Sequence, residues 1–160
     1  MATNTQAPKS PRDNIAALGI TLPEVVAPVA SYAPAVVSGN MIYVSGQLPF
    51  KDGELLATGA VGADVSPEVA ATCARQAALN AVAAVNSVAD LNAVRVVKVT
   101  GFVASAPGFG GQPGVINGAS DFLGDVFGGA HARSAVGVSE LPLNTPVEVE
   151  LIAEVCGPNE

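Results

Sequence analysis

The sequence predicts an α+β fold in two layers, a mixed β-sheet with two main helices packed on one face. Three observations carry this expectation. Short β-branched runs separated by turn residues occupy 35–47, small residues recur at helical spacing along 66–88, and strict period-two alternation runs through 147–155. The resulting order, ββ(β)-α-β-α-ββ, interleaves helices with strands and supplies helices for only one face of the sheet.

Taken in order, residues 1–9 read as a flexible tail and residues 10–31 as an N-terminal extension with a short helix, the whole of 1–160 forming a single domain. Ser10 followed by Pro11 is a helix start, and the helix should run to about Leu18 and stop at Gly19. TLPEVVAPVASYAP is expected to be extended, because its prolines remove amide donors and restrict the residues before them. AVVSGNMIYVSGQLP reads as a hairpin turning at Ser38-Gly39-Asn40, and KDGELLATG as a turn with a further short strand.

The clearest element begins at Ser66, an N-cap, with Pro67 in the first helical position and Glu68 at the positive end of the helix dipole. Ala70, Ala74, Ala77, Ala78, Ala81, Val85 and Val88 form its small-residue stripe, suited to lying close on a sheet. VRVVKVTGFVAS follows as a strand, PGFGGQPG as a loop, and GVINGASDFLGDVFGG as the second main helix. ARSAVGVSEL and PVEVELIAEV are strands joined through LPLNT. In the second of these, Val147, Val149, Leu151, Ala153 and Val155 point one way, and Glu148, Glu150, Ile152 and Glu154 the other.

Composition narrows the function. Hydrophobic residues make up 49% of the chain and charged residues 13%, too few charges to cover a monomer generously, so some surface is expected to lie between subunits. The net charge of -7 and the scattering of the seven basic residues argue against nucleic acid. No apolar run is long enough to span a bilayer, and the first residues are polar, so a cytoplasmic protein with reduced Cys73 and Cys156 is expected. One histidine and two distant cysteines leave no zinc pattern, and neither a nucleophile elbow nor a P-loop is present.

Arg133 stands at a strand entrance after a Gly-Gly loop end, where its planar fork could take a carboxylate in bidentate fashion. A salt bridge with Glu148 or Glu150 is the bland alternative, and for His131 it is an exposed loop residue. Tyr32, Ser45, Asn117 and Glu148 are the other polar candidates. Each has a structural reading too: an interface tyrosine, a turn hydroxyl before Gly46, a helix-face amide and part of an acidic strand face.

Together these segments resemble the RidA (YjgF) family of reactive-intermediate imine deaminases, from about Tyr32 to Val155. GNMIYVSGQLP is similar to the family's G-N-x-I-x-x-S-G-Q-x-P hairpin, and ARSAVGVSELPLNTPVEVELIAEV to its paired strands; ARQAALNAV has the flavour of the helix between. The resemblance implies a chorismate-mutase-like fold, assembled as a homotrimer with clefts between subunits. It implies hydrolysis of 2-imino acids of the 2-aminoacrylate and 2-iminobutyrate type to 2-keto acids and ammonia, with no metal or organic cofactor. By the same resemblance Arg133 would clamp the substrate carboxylate and Glu148 would position the attacking water. Tyr32, Ser45, the backbone amide of Gly46, and Asn117 would complete the binding site.

The sequence departs from the family pattern beside that cleft. Ala135 stands where members commonly have Cys, His131 where they have Pro, and the 106–114 loop and the N-terminal extension are longer than in short members. A noncatalytic trimer that binds a small carboxylate would keep Arg133 and tolerate loss of Glu148. An endoribonuclease, an activity attached by name to some relatives, is disfavoured by the acidic balance and the lack of a histidine pair.

Overall fold

The computed structural model describes residues 9–28 and 30–157. The expected flexible tail, apart from Lys9, lies outside the described residues, as does Val29 within the extension. Helix α1 spans Pro11–Ala17 and starts as a capping box: Ser10 Oγ accepts from the Asp13 amide, and the Asp13 carboxylate accepts from the Ser10 amide, both at 3.2 Å. Gly19 ends it with φ of 69°, as its position suggested. The described residues from 20 to 34 form neither helix nor strand.

Strands β1 (Ala35–Ser38) and β2 (Met41–Gln47) form the expected hairpin through Gly39 and Asn40. β3 (Phe50–Lys51) and β4 (Glu54–Leu55) make a separate two-stranded ribbon, turned by Asp52 and Gly53 at φ of 53° and 82°. Helix α2 spans Pro67–Asn86, with Ser66 Oγ accepting from the Val69 amide. The stripe from Ala70 to Val85 is buried as expected. Val88 is not: it follows the helix end and is 41% exposed, because the turn after Asn86 takes it off the sheet-facing line.

β5 (Val94–Ala104), α3 (Gln112–Phe127), β6 (Ala132–Val138) and β7 (Val147–Val155) complete the fold. The main sheet has the order β1-β2-β7-β5-β6; β5 and β6 run parallel, and all other neighbours are antiparallel. The two strands joined through LPLNT are therefore not neighbours, since β5 lies between them. A short connection does not make a hairpin here, because β6 pairs in parallel with the strand that precedes α3.

α2 packs over β2 and β7, α3 over β5 and β6, and α1 against α3. Val147, Val149, Leu151 and Ala153 face these helices and are buried; Val155, at the strand end, is half-buried. Small residues let the layers approach closely. A Cβ on Gly118 of α3 would overlap the Ala71 carbonyl of α2, and one on Gly101 of β5 would meet the Ile116 side chain. The opposite sheet face carries no helix, and Val36, Tyr43, Lys98, Thr100, Glu150 and Ile152 border a depression of about 300 Å³ on it. Cys73, buried, and Cys156 are both free thiols. Among the described residues no helix is long and apolar enough to cross a membrane.

Candidate functional site

Two clusters hold the predicted site residues. The first gathers where α3 overlies β6. Gly128 and Gly129, at φ of 66° and 70°, turn the chain out of α3 and into β6, which brings Arg133 under that helix. Arg133 opposes Val99 in β5, which opposes Leu151 in β7, and both are buried on the helical face. Its guanidinium is anchored on α3: Nη1 donates to Asn117 Oδ1 at 2.7 Å and to Ser120 Oγ at 3.3 Å, and Nη2 to the Pro113 carbonyl at 3.4 Å.

All three acceptors are neutral. A guanidinium has five N–H donors, so Nε–H and one hydrogen of Nη2 have no partner among the described residues. The expected alternative of an ion pair with Glu148 or Glu150 does not form; the described ion pairs are Arg12 with Asp90 and Arg95 with Glu154. His131 is not the exposed loop residue anticipated. It is half-buried, with Nε2 3.0 Å from Ser120 Oγ, because the turn from α3 into β6 folds it back onto the helix. Burial, and then the charge of Arg133, push its pKa below the ordinary range.

The second cluster lies at the β2–β7 junction. The register shifts between Val44 and Gln47, so Ser45 and Gly46 bulge out of the ladder. Ser45 does more than cap a turn: its hydroxyl donates to the Ala33 carbonyl at 2.6 Å and its amide to the Pro34 carbonyl at 2.9 Å, fastening the segment that carries Tyr32. Tyr32 is 46% exposed and shares with Gly46, Leu48 and Phe50 a narrow cleft of about 20 Å³, room for roughly one water. The Glu148 carboxylate lies directly over Gly46, in the space a side chain there would fill. Burial, and secondarily the charge of Glu150, raise the Glu148 pKa.

The two clusters do not meet within one chain. Glu148 opposes Phe102, which opposes Val136, three residues along β6 from Arg133. An odd offset places Arg133 on the helical face and Glu148 on the helix-free one, with β5 between. Asn117 joins Arg133, whereas Tyr32, Ser45 and Gly46 join Glu148. Ser120 and the Pro113 carbonyl were missed in the sequence; Ser120 lies three residues after Asn117, a spacing that puts both on one helix face. A larger groove of about 630 Å³, between α2, the β3–β4 ribbon and residues 20–26, contains none of the predicted site residues.

Comparison with known proteins identifies the family. Residues 23–155 match the family model described as Endoribonuclease L-PSP. The chain is 44% identical over 147 residues to Protein TCP17 of Trypanosoma cruzi, covering 89% of this chain and 92% of that protein. It is 32% identical over 138 residues to a 2-iminobutanoate/2-iminopropanoate deaminase of Dermatophagoides farinae, covering 85% and 94%. The crystal structure of Atu1372 from Agrobacterium tumefaciens superposes with a TM-score of 0.82 at 43% identity, covering 91% and 92%. The match over most of the chain, together with the mixed sheet covered by helices on one face, leads to one assignment: this protein belongs to the endoribonuclease L-PSP, or RidA (YjgF), family and has its chorismate-mutase-like α+β fold.

Proposed function

We propose that the protein is an imine deaminase, hydrolysing small 2-imino acids and their enamine tautomers to 2-keto acids and ammonia. The observation that carries this reading is the Arg133 anchor. Three neutral acceptors fix the guanidinium and leave two donors, the number a carboxylate takes in bidentate fashion. The kinship with the Dermatophagoides farinae deaminase supports the reaction class.

The chemistry asks little beyond orientation. Water adds to the electrophilic imine carbon, the resulting carbinolamine expels ammonia, and the keto acid remains; an enamine such as 2-aminoacrylate first takes a proton at carbon. Arg133 holds the carboxylate end, and Glu148 orients the water and moves its proton. Tyr32 and the Gly46 amide border that end of the cleft, while Asn117 and Ser45 hold its two walls. Both thiols free fits a reducing, cytoplasmic setting.

Arg133 and Glu148 face opposite ways in one chain, so a working cleft takes one from each of two copies. A homotrimer satisfies this with three equivalent clefts. The exposed Val36 and Tyr43 on the helix-free face, together with the low charge content, favour such an assembly. A carboxylate-binding trimer without catalysis is the second reading, favoured by an Arg133 anchor that is complete without Glu148.

The test is keto-acid and ammonia release from freshly generated 2-iminobutyrate, comparing wild type with Arg133→Ala and Glu148→Gln. Acceleration by wild type and its loss in both variants is the expected result. Folded wild-type protein that binds 2-ketobutyrate through Arg133 yet accelerates nothing would replace the deaminase by the binder.

A further inference from the structure

The one histidine of the chain is tied into the anchor of Arg133. Arginine has only hydrogens to offer, so the 3.3 Å contact from Nη1 takes a lone pair of Ser120 Oγ. The hydrogen of that hydroxyl has one acceptor among the described residues, His131 Nε2 at 3.0 Å. This network assigns the acceptor role to Nε2 and the ring proton to Nδ1. The depressed pKa keeps the ring neutral at pH 7 and so keeps Nε2 available.

The charges around the ring are consistent with that assignment. Arg133, two residues further along the chain, disfavours a second positive charge. From α3 the ring meets the uncharged Ser120. Lys98 of β5 opposes Ala132, and strand alternation directs it to the other face. Without Ser120, the guanidinium would keep the Asn117 contact at Nη1 and only the long 3.4 Å contact from Nη2 to the Pro113 carbonyl. The Ser120 contact adds a second restraint at Nη1, and the ring, by taking the hydroxyl hydrogen, turns the Ser120 lone pairs toward the guanidinium.

We propose that His131 is a positioning residue which, through the Ser120 hydroxyl, aims the Arg133 guanidinium at the substrate carboxylate. The proposal rests on the deaminase reading and adds a residue at a position where the family pattern has proline.

The test has a kinetic and a spectroscopic arm on the full chain. His131→Ala raises KM for 2-iminobutyrate about three- to tenfold, the effect of one hydrogen bond, and leaves kcat nearly unchanged. His131→Gln, whose amide oxygen can accept from Ser120, restores KM. In the second arm, NMR follows the single imidazole without ligand. Ser120→Ala removes a donor to the neutral ring and Arg133→Ala removes a repelling charge, so each raises the His131 pKa. An unchanged KM in His131→Ala, an equal rise in His131→Gln, or a His131 pKa indifferent to Ser120→Ala would overturn the proposal. Wild type without turnover defeats the deaminase reading separately, and 2-ketobutyrate affinity then replaces KM in the same comparison.

Discussion

The carboxylate of Glu148 rests on the backbone of Gly46, occupying the volume of the missing Cβ. A bulge in β2 and a residue without a side chain thus create the seat of the acid that is proposed to guide water. Gly46 has no positive φ, so alanine is tolerated by the backbone and acts only through overlap with Glu148. Gly46→Ala is expected to cost about 1–3 kcal/mol by overpacking and to lower turnover by about tenfold or more through misplacement. In Glu148→Gln the same change should cost little further activity, which a double-mutant cycle in the keto-acid assay would read.

The raised pKa of Glu148 makes a signed prediction for stability. A carboxyl whose folded pKa exceeds its unfolded one favours folding most when protonated, and this contribution is lost as pH rises through the folded value. Glu148→Gln should therefore melt higher than wild type at pH 7, with the gain vanishing by about pH 4. Thermal melts across that range check it; a gain that persists at the acid end would refute the linkage.

Glu150 is the second cause of that shift. Glu150→Gln should lower the Glu148 pKa and carry the acidic limb of the kcat/KM profile to lower pH, leaving the neutral plateau in place. A limb that stays put would show that another group sets it.

A cleft shared between copies predicts complementation. Arg133→Ala and Glu148→Gln, each inactive alone, should recover activity when their subunits are exchanged, since a mixed trimer contains one cleft with both native residues. Random mixing in equal amounts gives roughly a quarter of wild-type activity in a closed three-fold ring. Sedimentation showing a monomer at micromolar concentration, or no recovery after confirmed exchange, would exclude the shared cleft.

Gly118 couples packing to the site. Its missing side chain admits the Ala71 carbonyl of α2, a backbone group unable to swing aside. Gly118→Ala should cost about 2–3 kcal/mol by forcing the helices apart, lowering Tm by roughly 5–10 °C. Because Asn117 is the adjacent residue and bonds Arg133, KM should rise as well.

Local signals account for what was legible beforehand. Ser66-Pro67, Ser10-Pro11 and the alternation of β7 act within a few residues, and each produced its element. The neighbours of β7 were not legible, because pairing β2 with β7 joins residues about a hundred positions apart and no local pattern encodes it. The site divides in the same way. Arg133, Glu148 and Gly46 were singled out by residue type and family resemblance. The contacts of Arg133 with Asn117 and Ser120, and of Glu148 with Gly46, follow from how α3 crosses β6 and how β2 bulges, which only the packed chain specifies.

β7 follows every other strand in sequence yet sits between β2 and β5. A nascent chain from which residues 147–155 have not emerged would leave both β2 and β5 with an unpaired edge. Nascent chains halted before that point should depend on chaperones. Their release from that dependence should coincide with emergence of the strand that carries Glu148.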